Sequence, residues 1–143
     1  MDKPKLYISA AFLCEKVLQE KDGVLTAVRI LDKMTFQLPP GGLPEGAKPA
    51  IAMTGLVGLK SGPTVGEFTL KVGVTRPNGE KKHDVITFPV SLLGGEQGQN
   101  FIINIGLGIE EDGLHWFDVM LDDELLTRIP LVVTSEQIQP VRG

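Results

Sequence analysis

The 143-residue chain contains one cysteine, one tryptophan, one tyrosine and two histidines. A lone Cys14 excludes an intramolecular disulfide. Two histidines leave little material for a histidine-dependent active site or a histidine-rich metal centre. No apolar run approaches the roughly 18 residues that a membrane-spanning helix needs. The first residues, Met1 to Lys5, are charged and offer no hydrophobic stretch of a secretory leader, so no signal peptide is read. Cytoplasmic residence without membrane insertion is therefore expected.

Basic charge is also scarce. Fourteen Lys and Arg stand against 18 Asp and Glu, a net charge of −4. Nucleic acid and anionic lipid need a basic footprint, so neither is expected as the main partner. Residues 1–71 hold nine basic and seven acidic side chains, and residues 72–143 hold five and eleven. The acidic half is most simply a solvated surface, although it could steer a cationic partner.

What the chain has in quantity is turn chemistry, with 17 Gly and 10 Pro, set between segments that alternate apolar and polar residues. Alternation with period two places side chains on opposite faces of a strand. The clearest case is Glu67 to Thr75, where Phe68, Leu70, Val72 and Val74 share one face. Pro77-Asn78-Gly79 then turns the chain, because Pro presets φ and Asn-Gly accepts positive φ. The return runs from about Asp84 to Leu92 with Ile86, Phe88, Val90 and Leu92 in phase. A second hairpin pairs Leu114 to Leu121 with Leu125 to Val133 across Asp122-Asp123-Glu124. Pro130 lacks an amide donor and predicts an edge or a bulge. Phe101 to Ile109, Ile51 to Leu59 and Leu6 to Cys14 alternate as well, and Val24 to Met34 is read as one strand. Ala10 to Glu20 has helix-favouring composition, but a strand is preferred there. The irregular segment Gln37 to Pro49 is either functional or an inter-sheet crossover. The expected architecture is an all-β, antiparallel two-sheet sandwich of seven to eight strands, with one domain over 1–136 and a loose tail over 137–143.

Chemical signatures are missing. Cys14 continues the apolar stripe of Phe12, which reads as a small buried hydrophobe. His83 lies among Lys81, Lys82 and Asp84 and reads as solvated; His115 precedes Trp116 and Phe117 and reads as structural. Gly55 to Ser61 has the wrong spacing for a phosphate loop, and Gly106-Leu107-Gly108 lacks the third glycine of a dinucleotide fingerprint. The acidic runs Glu110-Glu111-Asp112 and Asp122-Asp123-Glu124 flank one strand and so fall at opposite ends of it, which argues against a shared calcium site. No catalytic, cofactor-binding or metal-binding set is read, and no cofactor is expected.

The strings Ala11-Phe12-Leu13-Cys14-Glu15-Lys16-Val17, Asp22-Gly23-Val24-Leu25-Thr26-Ala27 and Trp116-Phe117-Asp118-Val119, continuing through Leu125 to Leu131, resemble a family of small bacterial proteins of unknown function. The resemblance implies an Ig-like β-sandwich and transfers no activity.

One feature points to interaction. Leu56, Ile102, Trp116 and Met120 are apolar at positions phased outward, where a half-wet sheet places polar residues. If they cluster they form an interface patch; otherwise the 37–49 loop covers them. The leading expectation is a non-enzymatic binding or structural module that contacts a protein partner, or itself as a homo-oligomer, through a sheet face or edge. The alternative is a binder of a sugar, lipid or peptide. It would use the 37–49 loop, Pro77 to Glu80 and Glu110 to Gly113, which alternation assigns to one end. A hydrolase with an unrecognised site is the third reading.

Overall fold

The computed structural model describes residues 6–137, save the side chains of residues 83–85. Nine strands follow one another: β1 (Tyr7–Gln19), β2 (Leu25–Leu31), β3 (Lys33–Leu38), β4 (Ala50–Lys60), β5 (Val65–Thr75), β6 (Lys81–Leu93), β7 (Gly98–Gly108), β8 (Gly113–Leu121) and β9 (Glu124–Gln137). No helix occurs among the described residues. Ala10 to Gln19 is strand, as preferred, within β1; a register shift between Ile8 and Ala10 turns Ala11 and Leu13 to the core in place of Ala10 and Phe12. His83 and the tail residues 138–143 lie outside the described set, whereas Gln137 closes β9.

The strands form two sheets, β2-β1-β4-β7 and β3-β9-β8-β5-β6. Two expectations need correction here. The segment Val24 to Met34 is two strands, with Asp32 between them: β2 pairs with β1 in one sheet, and β3 pairs with β9 in the other. Among the described residues the count is therefore nine. The β3–β9 pair is also parallel, so the fold is not purely antiparallel. Asp32 and Lys33 are both exposed, so the inward phase slips by one residue at the switch, from Leu31 to Met34 and Phe36.

Pro130 shows how local chemistry fits the topology. Strand β9 is internal to its sheet, yet β3 covers it only from Val132 onward. Pro130 pairs with Trp116 on β8 and lies just before that cover, where β9 has a free flank and a missing amide costs little.

Between the sheets lies one core, with Leu13, Ile51, Met53, Val57 and Leu59 facing Leu70, Val72, Val74, Val90 and Leu92. Ile103, Ile105, Leu107, Ile109, Phe117, Val119, Leu121, Ile129, Leu131 and Val133 complete it. Each such side chain contributes roughly 1.5–3 kcal/mol when fully buried. Phe88 of β6 and Phe101 of β7 meet at 5.6 Å between ring centres and close one side of the layer. Gly55 leaves room on β4 for Ile105 Cδ1, which would stand 3.2 Å from a Cβ there.

Candidate functional site

The four outward apolar residues do not form one patch. Leu56 and Ile102 are partners on β4 and β7 of the four-stranded sheet. Trp116 and Met120 lie on β8 of the five-stranded sheet. The inter-sheet core separates the pairs, so they belong to opposite outer faces of the molecule.

On the five-stranded face, β8 and β9 set side chains in rungs. Leu114 faces Val132, Trp116 faces Pro130, Asp118 faces Arg128 and Met120 faces Leu125. Leu114 is 40% exposed and Val132 39%, while Leu125 is also exposed. The central rung is polar and tightly held. Arg128 Nε donates to Asp118 Oδ1 at 2.7 Å, and Thr75 Oγ1 donates to Asp118 Oδ2 at 2.5 Å. The guanidinium also stacks on Trp116, with Cζ 4.6 Å from the ring centre. Asp118 is only 4% exposed, so both its oxygens are engaged out of water. A charge-assisted pair of this kind is stronger than a neutral hydrogen bond. The result is a preset aromatic–guanidinium platform with apolar residues above and below it. A hollow of about 160 Å³ beside it is lined by Lys81, Asp118, Met120, Leu125 and Arg128.

Asp118 and Arg128 were not singled out by sequence reasoning. The available signal was an aspartate in phase with Trp116 and Met120, mirrored by Arg128 across the Asp122-Asp123 turn. On the remaining half of this face, on β5 and β6, the middle is polar, where Ser91 donates to both carboxylate oxygens of Glu67 at 2.8 and 2.7 Å, and the exposed apolar pair Val65–Leu93 lies at one end.

On the four-stranded face, Phe12, Leu56 and Ile102 form one row across β1, β4 and β7. Leu56 is 8% exposed and Ile102 39%. Cys14 lies next to this row and is fully buried. Burial pushes its thiol pKa up, and the thiol donates to the Lys16 carbonyl at 3.4 Å. A raised pKa depletes the thiolate, which is the nucleophile, and this fits the structural reading of Cys14. The 37–49 segment covers neither outer pair. Its Leu43 and Pro49 instead line an open hollow with Phe36, Leu38, Ile109, Glu110, Glu111, Asp112 and Ser135.

The three loops assigned to one end do meet there. Asn78 N donates to Glu111 Oε1 at 3.1 Å, and Lys48 Nζ donates to Glu110 Oε1 at 3.1 Å. Ile109 N donates to the Pro49 carbonyl at 2.7 Å. Lys48 holds the exposed Glu110 carboxyl below the usual carboxylate range. Asp112 Oδ2 accepts from both the amide and the hydroxyl of Ser135. Each acidic residue of this run is thus committed to bracing loops. The second acidic run sits at the far end of β8, where Thr69 N donates to Asp122 Oδ1 at 2.9 Å. Among the described residues, no group of three His, Cys, Asp or Glu is placed to hold a metal.

His115 is fully buried on the inner side of β8. Its Nδ1 lies 3.1 Å from the Gly113 carbonyl, and its Nε2 has no partner among the described residues. Gly55 to Lys60 lies along β4 and Gly106 to Gly108 along β7, so neither stretch forms a loop before a helix. Among the described residues no helix is long and apolar enough to cross a membrane.

The two-layer fold is similar to part of a larger enzyme. A crystal structure of beta-glucosidase from Listeria innocua aligns over 94% of this chain with 11% identity and a TM-score of 0.52. Structures of that enzyme in complex with glucose and with isofagomine give TM-scores of 0.54 and 0.53, each at 10% identity. The chain spans 16% of the length of that enzyme, and at such identity the likeness is one of fold. No curated protein matches the chain. Residues 9–134 match the model of a family of unknown function, DUF6941, and the chain belongs to that family.

Proposed function

We propose that the chain is a non-enzymatic, Ig-like protein-contact module, working in the cytoplasm, whose partner-binding surface is the β8–β9 half of the five-stranded outer face. The observation that carries this reading is the Trp116–Arg128–Asp118 platform, flanked by Leu114, Val132, Met120 and Leu125. Water-facing positions of a sheet normally carry polar residues, so a stripe of this composition needs another reason. Trp and Arg are the residues that dominate binding energy at interfaces, and an Arg already fixed by a carboxylate and a ring loses little freedom on binding. The Ig-like reading is supported by β3, which leaves the first sheet and runs parallel to the final strand of the other.

A second reading, binding of a small ligand at the loop end, is favoured by the hollow between the 37–49 segment and Glu110 to Asp112. It ranks lower because the carboxylates that rim the hollow are committed to loop contacts.

Tagged protein purified from its source cells tests the main reading. A defined partner should be retained by the wild-type chain and lost from Trp116→Ala and Leu114→Lys, while both variants keep the wild-type melting temperature, since Leu114 is exposed and the Arg128–Asp118 pair stays intact in both. Equal retention by all three proteins rejects this face as the contact surface.

A further inference from the structure

Strand β7 differs from the other three sheet edges. Exposed edges are normally blunted by charge, proline, bulges or shortness, because their free amides and carbonyls recruit another strand. Strand β2 has seven residues and carries Arg29 with a φ of 56°. Strand β3 has six residues and begins on Lys33. Strand β6 contains Lys81, Lys82 and Pro89, and its register with β5 shifts between Val72 and Val74. Strand β7 reads Gly-Gln-Asn-Phe-Ile-Ile-Asn-Ile-Gly-Leu-Gly over 11 residues, with no charge and no proline. It pairs with β4 over its whole length without a register shift.

The hydrogen-bonding phase of this edge follows from its two ends. Ile109 N donates to the Pro49 carbonyl, and Ser61 N donates to the Gln97 carbonyl. Odd-numbered residues therefore turn their backbone groups towards β4, since bonded pairs recur at every second residue of an antiparallel ladder. Gly98, Asn100, Ile102, Asn104, Gly106 and Gly108 turn theirs outward, and all six are exposed. Of these groups the Gly108 carbonyl is held by Arg76 Nη1 at 3.0 Å.

We infer that β7 pairs with β7 of a second copy of this chain, antiparallel about a two-fold axis at Ile102, to make a continuous eight-stranded sheet. Three observations select a second copy. An edge pairing with its own copy sets the residue on the two-fold axis against itself, where a charge would repel its twin, and β7 carries no charge. Centring on Ile102 uses the outward-facing set of amides and carbonyls, with Asn100 opposite Asn104 of the copy and Gly98 opposite Gly106. The same centring joins the row Phe12–Leu56–Ile102 to its symmetry mate in one apolar stripe, covering the exposed part of Ile102. Gly106 and Gly108 have open space above them, so nothing on the outer face obstructs the approach. This pairing uses a different sheet from the Trp116 face and stands independently of it.

Light scattering across a concentration series tests the inference, with Ile102→Lys and Trp116→Ala alongside the wild-type chain. The wild-type mass should rise to twice 15.5 kDa. Ile102→Lys sets two like charges opposite each other and should weaken the dimer on the order of a hundredfold, with an unchanged melting curve for the monomer. Trp116→Ala should dimerise normally. Amide exchange provides a second readout, independent of any variant: the amides of Asn100, Ile102 and Asn104 should slow as the dimer forms. A monomer at every concentration overturns the pairing. So does a dimer that survives Ile102→Lys or leaves those amides in fast exchange, and so does a dimer that only Trp116→Ala abolishes.

Discussion

At the scale of single residues, Asp118 shows how little of a site a sequence pattern reveals. Alternation placed it outward on a strand, where an aspartate is ordinarily solvated. The structure instead buries it beneath Arg128, Trp116 and Thr75. Removing this acceptor leaves the buried Thr75 hydroxyl unpaired while Arg128 stays hydrated, so Asp118→Ala should lower stability by about 1–3 kcal/mol. Asp118→Asn should cost less, on the order of 0.5–1.5 kcal/mol, because the amide keeps a carbonyl acceptor. Urea denaturation of the two variants checks both the size and the order. His115 poses the opposite case. Its Nε2 is buried without a partner, which leaves a polar atom that an apolar residue of similar volume would remove. His115→Leu should unfold within about 1 kcal/mol of the wild-type chain, whereas His115→Ala opens a cavity and should cost about 2–4 kcal/mol. Thermal melts distinguish the two. A loss on His115→Leu as large as that on His115→Ala would mean that the Gly113 contact matters more than the unsatisfied nitrogen.

At the scale of strands and loops, most of the pattern was legible. The hairpins on either side of Pro77-Asn78-Gly79 and of Asp122-Asp123 were readable because period-two phasing and turn chemistry agree. Gly79 indeed takes a φ of 90°, and Glu80 N donates to Asn78 Oδ1 at 2.8 Å. The meeting of three loops at one end followed from strand alternation alone. The change of sheet at Asp32 left one mark in the sequence, the consecutive polar residues Asp32 and Lys33, across which the inward phase slips from Leu31 to Met34 while the partners switch from β1 to β9. The division of outward residues between two separate faces left none: phase says inward or outward, and strand order decides which outward face. Arg29 carries a strand-level prediction. Its φ of 56° is a conformation that costs a non-glycine residue roughly 1–2 kcal/mol. Arg29→Gly should therefore be neutral or stabilising despite the loss of its exposed contact with Glu15, 3.5 Å away. Arg29→Val, with a branched Cβ, should be destabilising. Chemical denaturation of the pair decides whether the left-handed geometry of β2 is an intrinsic requirement of the fold.

At the scale of the whole molecule, the two sheets present different outer surfaces. The five-stranded sheet presents a fixed aromatic and guanidinium platform on half of its face, and the four-stranded sheet ends in an uncharged edge. Neither surface resembles a catalytic cleft, and the loop end is braced by its own carboxylates. The contact module proposed above accounts for these features together, because each is an extended surface. Only part of this was accessible from the sequence: Trp116 and Ile102 could be marked as outward apolar residues, but not assigned to different surfaces. Buried Cys14 adds a control on the intact fold. Its thiol should resist alkylation in the native protein and react once urea unfolds it, so slow modification certifies that a variant remains folded.

The central claim, that the β8–β9 face meets a protein partner, is tested most directly by placing a photo-crosslinking side chain at Leu114 and irradiating living source cells. The account predicts one discrete adduct that disappears when Trp116→Ala is added and that is absent when the crosslinker stands at Thr87 on the polar half of the same sheet. An equal adduct pattern from both positions, or a Leu114 adduct indifferent to Trp116→Ala, would contradict it.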